Sequence, residues 1–136
     1  MAVKVLKREI VSDPVLLPEL EEYVINAAVA NNVNEDKFNN LALAFSEAAS
    51  NAVLHGNKNN PSKKVFIVIT IDDDFFKVSI KDEGNGFKLD QVPDPTKPEN
   101  ILKESGRGIH IMKSFLDDLQ YKFSETGTEV ILVLRK

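Results

Sequence analysis

Residues 75–82, "FFKVSIKD", alternate apolar and polar side chains with period two, which predicts a strand with Phe76, Val78 and Ile80 on one face. The preceding run 63–71, "KKVFIVITI", is apolar at both parities and reads as a strand covered on both sides, with the turn at 72–74. Residues 3–11 also read as a strand, charged often enough to lie at a sheet edge. Helical spacing takes over after Ser12-Asp13-Pro14, through Leu17, Leu20, Val24 and Ala27 to the asparagines at 31–32. Asn34 then caps a second helix running to Gly56, a residue suited to a left-handed stop. Residues 84–105 lose periodicity and contain three prolines, so they read as a long loop of the functional kind. A third helix is expected over 107–118, through Ile109, Met112, Phe115 and Leu116, followed by strands at 119–124 and 128–135.

The order β α α β β loop α β β has too few β-α-β alternations for a doubly wound sheet. It predicts an α+β, two-layer α/β sandwich, in which helices cover one face of a mixed, mostly antiparallel sheet. A length of 136 residues fits a single domain spanning 1–136. The net charge of −4 counts against nucleic acid as the main partner, because phosphate binding needs a basic footprint. Without cysteine there is no disulfide framework and no thiolate metal site. No apolar run has the length of a membrane span, and "MAVKVLKREIV" lacks the continuous apolar core of a signal peptide, so the expected location is the cytoplasm.

Four short stretches carry candidate chemistry. In "SEAASNAVLHG" (46–56), Glu47 and Asn51 stand one helical turn apart on the same side. A solvated helix face explains such a pair about half the time. Here, however, residues 41–57 hold no Lys or Arg and the neighbours are small, as on a face that something else approaches closely. A carboxylate beside a carboxamide can hold a hard cation such as Mg²⁺ and orient a hydroxyl. Asp82 opens "DEGNGF" in phase with Phe76, Val78 and Ile80, so it points toward the helices and needs a donor. That donor is the backbone of its own turn, an ordered water, or a ligand amine such as that of adenine, which Gly84 and Gly86 would let close to the chain. In "SGRGI" (105–109), Gly106 and Gly108 open a helix whose free N–H groups, with Arg107, suit a phosphate; a solvated hinge accounts for them equally well. In "TGTEV" (126–130), Gly127 fits a tight hairpin, and Thr128 shares its strand phase with Val130, Leu132 and Leu134. Neither His55 nor His110 has a partner identifiable from sequence.

Taken in order, "EAASNAVLHG", "DEGNGF", "SGRGI" and "GT" resemble the N box and the three glycine boxes of the GHKL ATPase superfamily, which has the Bergerat fold. Within it the chain most resembles the anti-sigma factor serine/threonine kinases, through the "N-A-x-x-H-G" ending and the short lid "PDPTKPENILKESGRGI". The resemblance implies ATP and Mg²⁺ as cofactors. It makes Glu47 the base for an attacking hydroxyl, Asn51 the Mg²⁺ ligand and Asp82 the acceptor for the adenine amine. Gly84, Gly86 and Thr128 would shape the adenine pocket; Gly106, Arg107 and Gly108 would hold phosphates; and residues 87–105 would form the lid. His110 stands where such proteins frequently carry Leu or Phe. The implied partners are a STAS-domain anti-anti-sigma protein, a sigma factor and a second copy of the chain as homodimer. A module that sequesters a partner without phosphorylating it is the alternative. A detached sensor-kinase domain ranks last, since nothing in the sequence supplies phosphoacceptor-histidine helices.

Overall fold

The computed structural model describes residues 3–57, 60, 62–83, 116–124 and 127–136. Within them, five strands form one sheet: β1 (Lys4–Val11), β2 (Lys64–Ile71), β3 (Phe75–Lys81), β4 (Asp118–Ser124) and β5 (Gly127–Arg135). Their spatial order is β1-β2-β3-β5-β4. All four pairings are antiparallel, in keeping with the expected mostly antiparallel sheet, and no parallel pair occurs among the described residues. As its charges predict, β1 is an edge strand. The tight turn at 72–74 is made by Asp72, whose Oδ1 accepts the N–H groups of Asp74 at 2.8 Å and Phe75 at 2.7 Å. Those N–H groups, Phe75 first, hold its carboxyl below the usual range.

Two helices lie on one face of this sheet. Helix α1 (Leu17–Ala30) follows a 3₁₀ turn at Pro14–Leu16 that Asp13 caps by accepting the Val15 N–H at 3.0 Å. Pro18 falls in the first turn, where its missing N–H costs nothing. The chain reverses at Asn32, in the left-handed region at φ 63. Asn34 caps a second 3₁₀ turn by accepting the Asp36 N–H at 3.0 Å, and α2 (Phe38–Asn51) follows. The helical spacing of apolar residues becomes the core: Leu20, Val24, Leu41, Phe45 and Val53 pack on Val65, Ile67, Ile69, Phe76, Val78, Ile80, Leu132 and Leu134. Each large side chain so buried contributes about 1.5–3 kcal/mol of transfer free energy. Small residues at Ala44, Ala48, Ala49 and Ala52 are also buried and let α2 sit close to the strands.

Three expectations are corrected. The second helix reaches Gly56, but its last turn, Ala52–Gly56, is π-helical, and the residue that caps it is Asn57 at φ −89, with its N–H donating to the Ala52 carbonyl. The fourth strand begins at Asp118, which pairs with Val133, so the expected third helix does not extend to that residue. Strand β2 was expected to be covered on both sides, yet the described helices cover only the face of Val65, Ile67, Ile69 and Ile71. Phe66, Val68 and Thr70 face the other way and stay partly exposed, between the outward residues of β1 and β3. Residues 84–115, where the loop and most of the third helix are expected, lie outside the described residues.

Candidate functional site

Asp82 follows β3 and is 5% exposed, on the helix side as its phase predicts. Its N–H donates to the Thr128 carbonyl at 3.0 Å, and its Oδ1 accepts the Thr128 N–H at 3.1 Å. Asp82 and Thr128 are thus brought together by the β3–β5 pairing extended one step beyond Lys81 and Glu129. Holding Oδ1 through a backbone donor orients the carboxylate without using up all its acceptor sites, of which an ionised carboxylate has about four.

Gly127 has a reason beyond the hairpin. It adopts φ +147, and a Cβ built there would lie 2.2 Å from the Asp82 carbonyl oxygen. Only glycine lets β5 press against the strand end that carries Asp82. Gly127→Ala is expected to cost about 1–3 kcal/mol of stability by forcing these backbones apart. Its denaturation midpoint should fall, and an unchanged midpoint would contradict the close packing.

On α2, Asn51 Nδ2 lies 3.5 Å from Glu47 Oε1, a long hydrogen bond between two half-buried side chains. Ser46 turns away from this pair and donates to Glu21 Oε2 of α1 at 2.8 Å, tying the two helices together. Across the site, Tyr121 of β4 stands opposite Val130 and so faces the helices. Burial, and then the negative charge of Glu47, push its hydroxyl well above the ordinary phenol range. Tyr121 escaped the sequence reading, although its phase with Leu119 points it inward.

A fully buried amide links the turn after α2 to the start of β2 and the end of β3. Asn57, 0% exposed, donates from Nδ2 to the Lys64 carbonyl at 2.9 Å and accepts the Glu83 N–H on Oδ1 at 2.7 Å. Glu83 Oε1 in turn accepts the Lys64 N–H at 2.7 Å. Asn57, directly after Gly56 in the asparagine-rich "GNKNN", carries no periodic signal that would single it out from sequence.

Glu47, Asn51, Asp82 and Thr128 therefore share the helix side of the sheet. Gly84, Gly86, Gly106, Arg107 and Gly108 lie outside the described residues. Among the described residues no cluster of three or more His, Cys, Asp or Glu could hold a metal by itself. The donor set still fits Mg²⁺, which commonly takes one or two protein oxygens and completes its shell with water and phosphate. No helix among the described residues is long and apolar enough to cross a membrane.

The antiparallel sheet order with two helices on one face defines an α+β domain, and known proteins match it. Residues 10–134 match the model of the histidine kinase-like ATPase domain, and the chain belongs to that family, in the group that contains the anti-sigma factors. The anti-sigma F factor of Bacillus subtilis is 38% identical over 102 residues, covering 71% of this chain and 68% of that protein. The anti-sigma F factor of Bacillus cytotoxicus is 36% identical with the same coverage. Among solved structures, the RsbU and RsbW domains of a Mycobacterium tuberculosis protein align with TM-score 0.71 at 13% identity, over 97% of this chain and 32% of that one. The chain spans about a third of that structure's length. A mycobacterial sensor histidine kinase, MprB, aligns with TM-score 0.57 at 14% identity, over 94% and 97% of the two chains. These two structural likenesses speak to the fold. The family places the chain among ATP-binding domains.

Proposed function

We propose that this protein is an ATP- and Mg²⁺-dependent serine/threonine kinase and anti-sigma regulator, which phosphorylates a STAS-domain anti-anti-sigma protein in a partner-switching pathway. The observation that carries the reading is the pairing of an oriented, buried carboxylate at Asp82 with a Glu47–Asn51 pair on the same side of the sheet. Relatives named anti-sigma F factor support the regulatory half, with a sigma factor as the second partner.

In this reading the Asp82 carboxylate accepts a hydrogen bond from the exocyclic amine of adenine, and Thr128 keeps it aimed. Gly84 and Gly86 line the adenine pocket. Gly106, Arg107 and Gly108 hold the phosphates, with residues 87–105 as lid. The amide oxygen of Asn51 is the protein ligand for Mg²⁺, which when bound neutralises phosphate charge. The partner's hydroxyl oxygen attacks the γ-phosphorus, the bond to the β-phosphate oxygen breaks, and ADP leaves. The hydroxyl proton passes to the Glu47 carboxylate, which Asn51 and Tyr121 flank. Such a reaction needs alignment and charge stabilisation more than covalent chemistry from the protein. The partly exposed outward side chains Phe66, Val68 and Ile131 favour a homodimer built on the open sheet face.

Incubation with γ-labelled ATP, Mg²⁺ and candidate STAS-domain proteins tests this reading. Label on a serine or threonine of one of them is expected. Stable complexes with ATP and partner but no transfer would leave the sequestering module as the function. Arg107→Ala is expected to weaken ATP more than adenosine when both are titrated, and equal losses would remove its phosphate contact.

A further inference from the structure

Three residues close a ring at the back of the site. Asn57 bonds both the Lys64 carbonyl and the Glu83 N–H through its side chain, and Glu83 returns to the Lys64 N–H through its own. Both backbone polar groups of Lys64 and the N–H of Glu83 are thereby satisfied at the point where β2 begins and β3 has just ended. The amide at the centre is completely buried, where leaving either half unmade costs the full desolvation of its partner. The backbone N–H of the same residue closes the π-helical turn that continues directly from Asn51. Asn57 is therefore joined on one side to the helix of Glu47 and Asn51 and on the other to the peptide that follows Asp82.

We infer that Asn57 is a positioning residue that sets the span between the two ends of the nucleotide site, with Glu83 as the outer strut of the same clip. The inference rests on the assignment of Asp82 to the base and of Asn51 to the phosphate end. ATP must satisfy both ends at once, whereas adenosine engages only the first. The Asp82 end is held independently by the two Thr128 backbone bonds, so loosening the clip leaves that end formed and lets the helix end drift. A simple stabilising role for Asn57 would weaken both ligands alike.

Calorimetric titration of the full chain with Mg-ATP and with adenosine, for wild type, Asn57→Ala and Asp82→Asn, reads the difference. Asn57→Ala is expected to lose about tenfold in ATP affinity, the equivalent of one hydrogen bond, while adenosine changes less than about twofold. Equal losses for the two ligands overturn the inference. Asp82→Asn serves as the control for the underlying assignment: if it leaves both affinities unchanged, the site reading fails and the clip with it. Should Asn57→Ala not fold, Glu83→Ala decides the matter, since this side chain is exposed. It is expected to lose about two- to fivefold for ATP alone, with Glu83→Gln, which keeps the acceptor, restoring wild-type affinity. An unchanged ratio of ATP to adenosine affinity in Glu83→Ala overturns the inference as well.

Discussion

Glu47→Ala is expected to bind ATP as the wild type does and to lose phosphotransfer by about 10²–10⁴-fold, the usual contribution of a positioned general base. The side chain sits one turn before Asn51 and touches it only through a 3.5 Å contact, so its removal leaves the amide in place. Ser46 still anchors α2 to Glu21, and the buried alanines on either side of the turn keep the helix seated. Tyr121 loses a negative neighbour, and its hydroxyl should titrate at a lower pH than in the wild type, because one of the two causes that raise it has gone. Single-turnover transfer measured beside nucleotide affinity separates the two effects. Retained transfer would remove Glu47 as the base.

Asp82→Asn carries the second large effect. The substitution preserves shape and one oxygen for the Thr128 N–H, but it replaces a charged acceptor with a neutral amide. The expected loss in ATP affinity is about 1–3 kcal/mol, the worth of a hydrogen bond to a charged group. Folding should be little changed, because the backbone bond from Asp82 to Thr128 survives. Unchanged affinity by calorimetry would sink the assignment of this carboxylate to the base.

Much of this arrangement is legible in the sequence, and the reasons are local. Alternation along 75–82 places Asp82 on the buried face because strand side chains repeat every two residues, and nothing in the fold overrides that phase. Glu47 and Asn51 share a face because helical geometry demands it at a spacing of four. The features that escaped depend on contacts between distant segments. Asn57 has no periodicity to betray it: one asparagine after a glycine looks like any loop residue until Lys64 and Glu83 arrive beside it. Gly127 looks sufficient as a hairpin glycine until the Asp82 backbone presses on it. The π-helical turn after Asn51 reflects a shift of hydrogen bonding that residue identity does not announce. Phe66 and Val68 read as buried because they are apolar, but an apolar residue on a sheet face can equally await a second chain.

The central claim is that Asp82 recognises the exocyclic amine of adenine, and the most direct test is discrimination between ATP and inosine triphosphate. Inosine carries a carbonyl where adenine carries the amine, so the Asp82 carboxylate should face an acceptor instead of a donor. Wild type is expected to prefer ATP by at least about tenfold, and Asp82→Asn, whose amide can donate to that carbonyl, to lose the preference. Equal affinity of the wild type for both nucleotides would contradict the account.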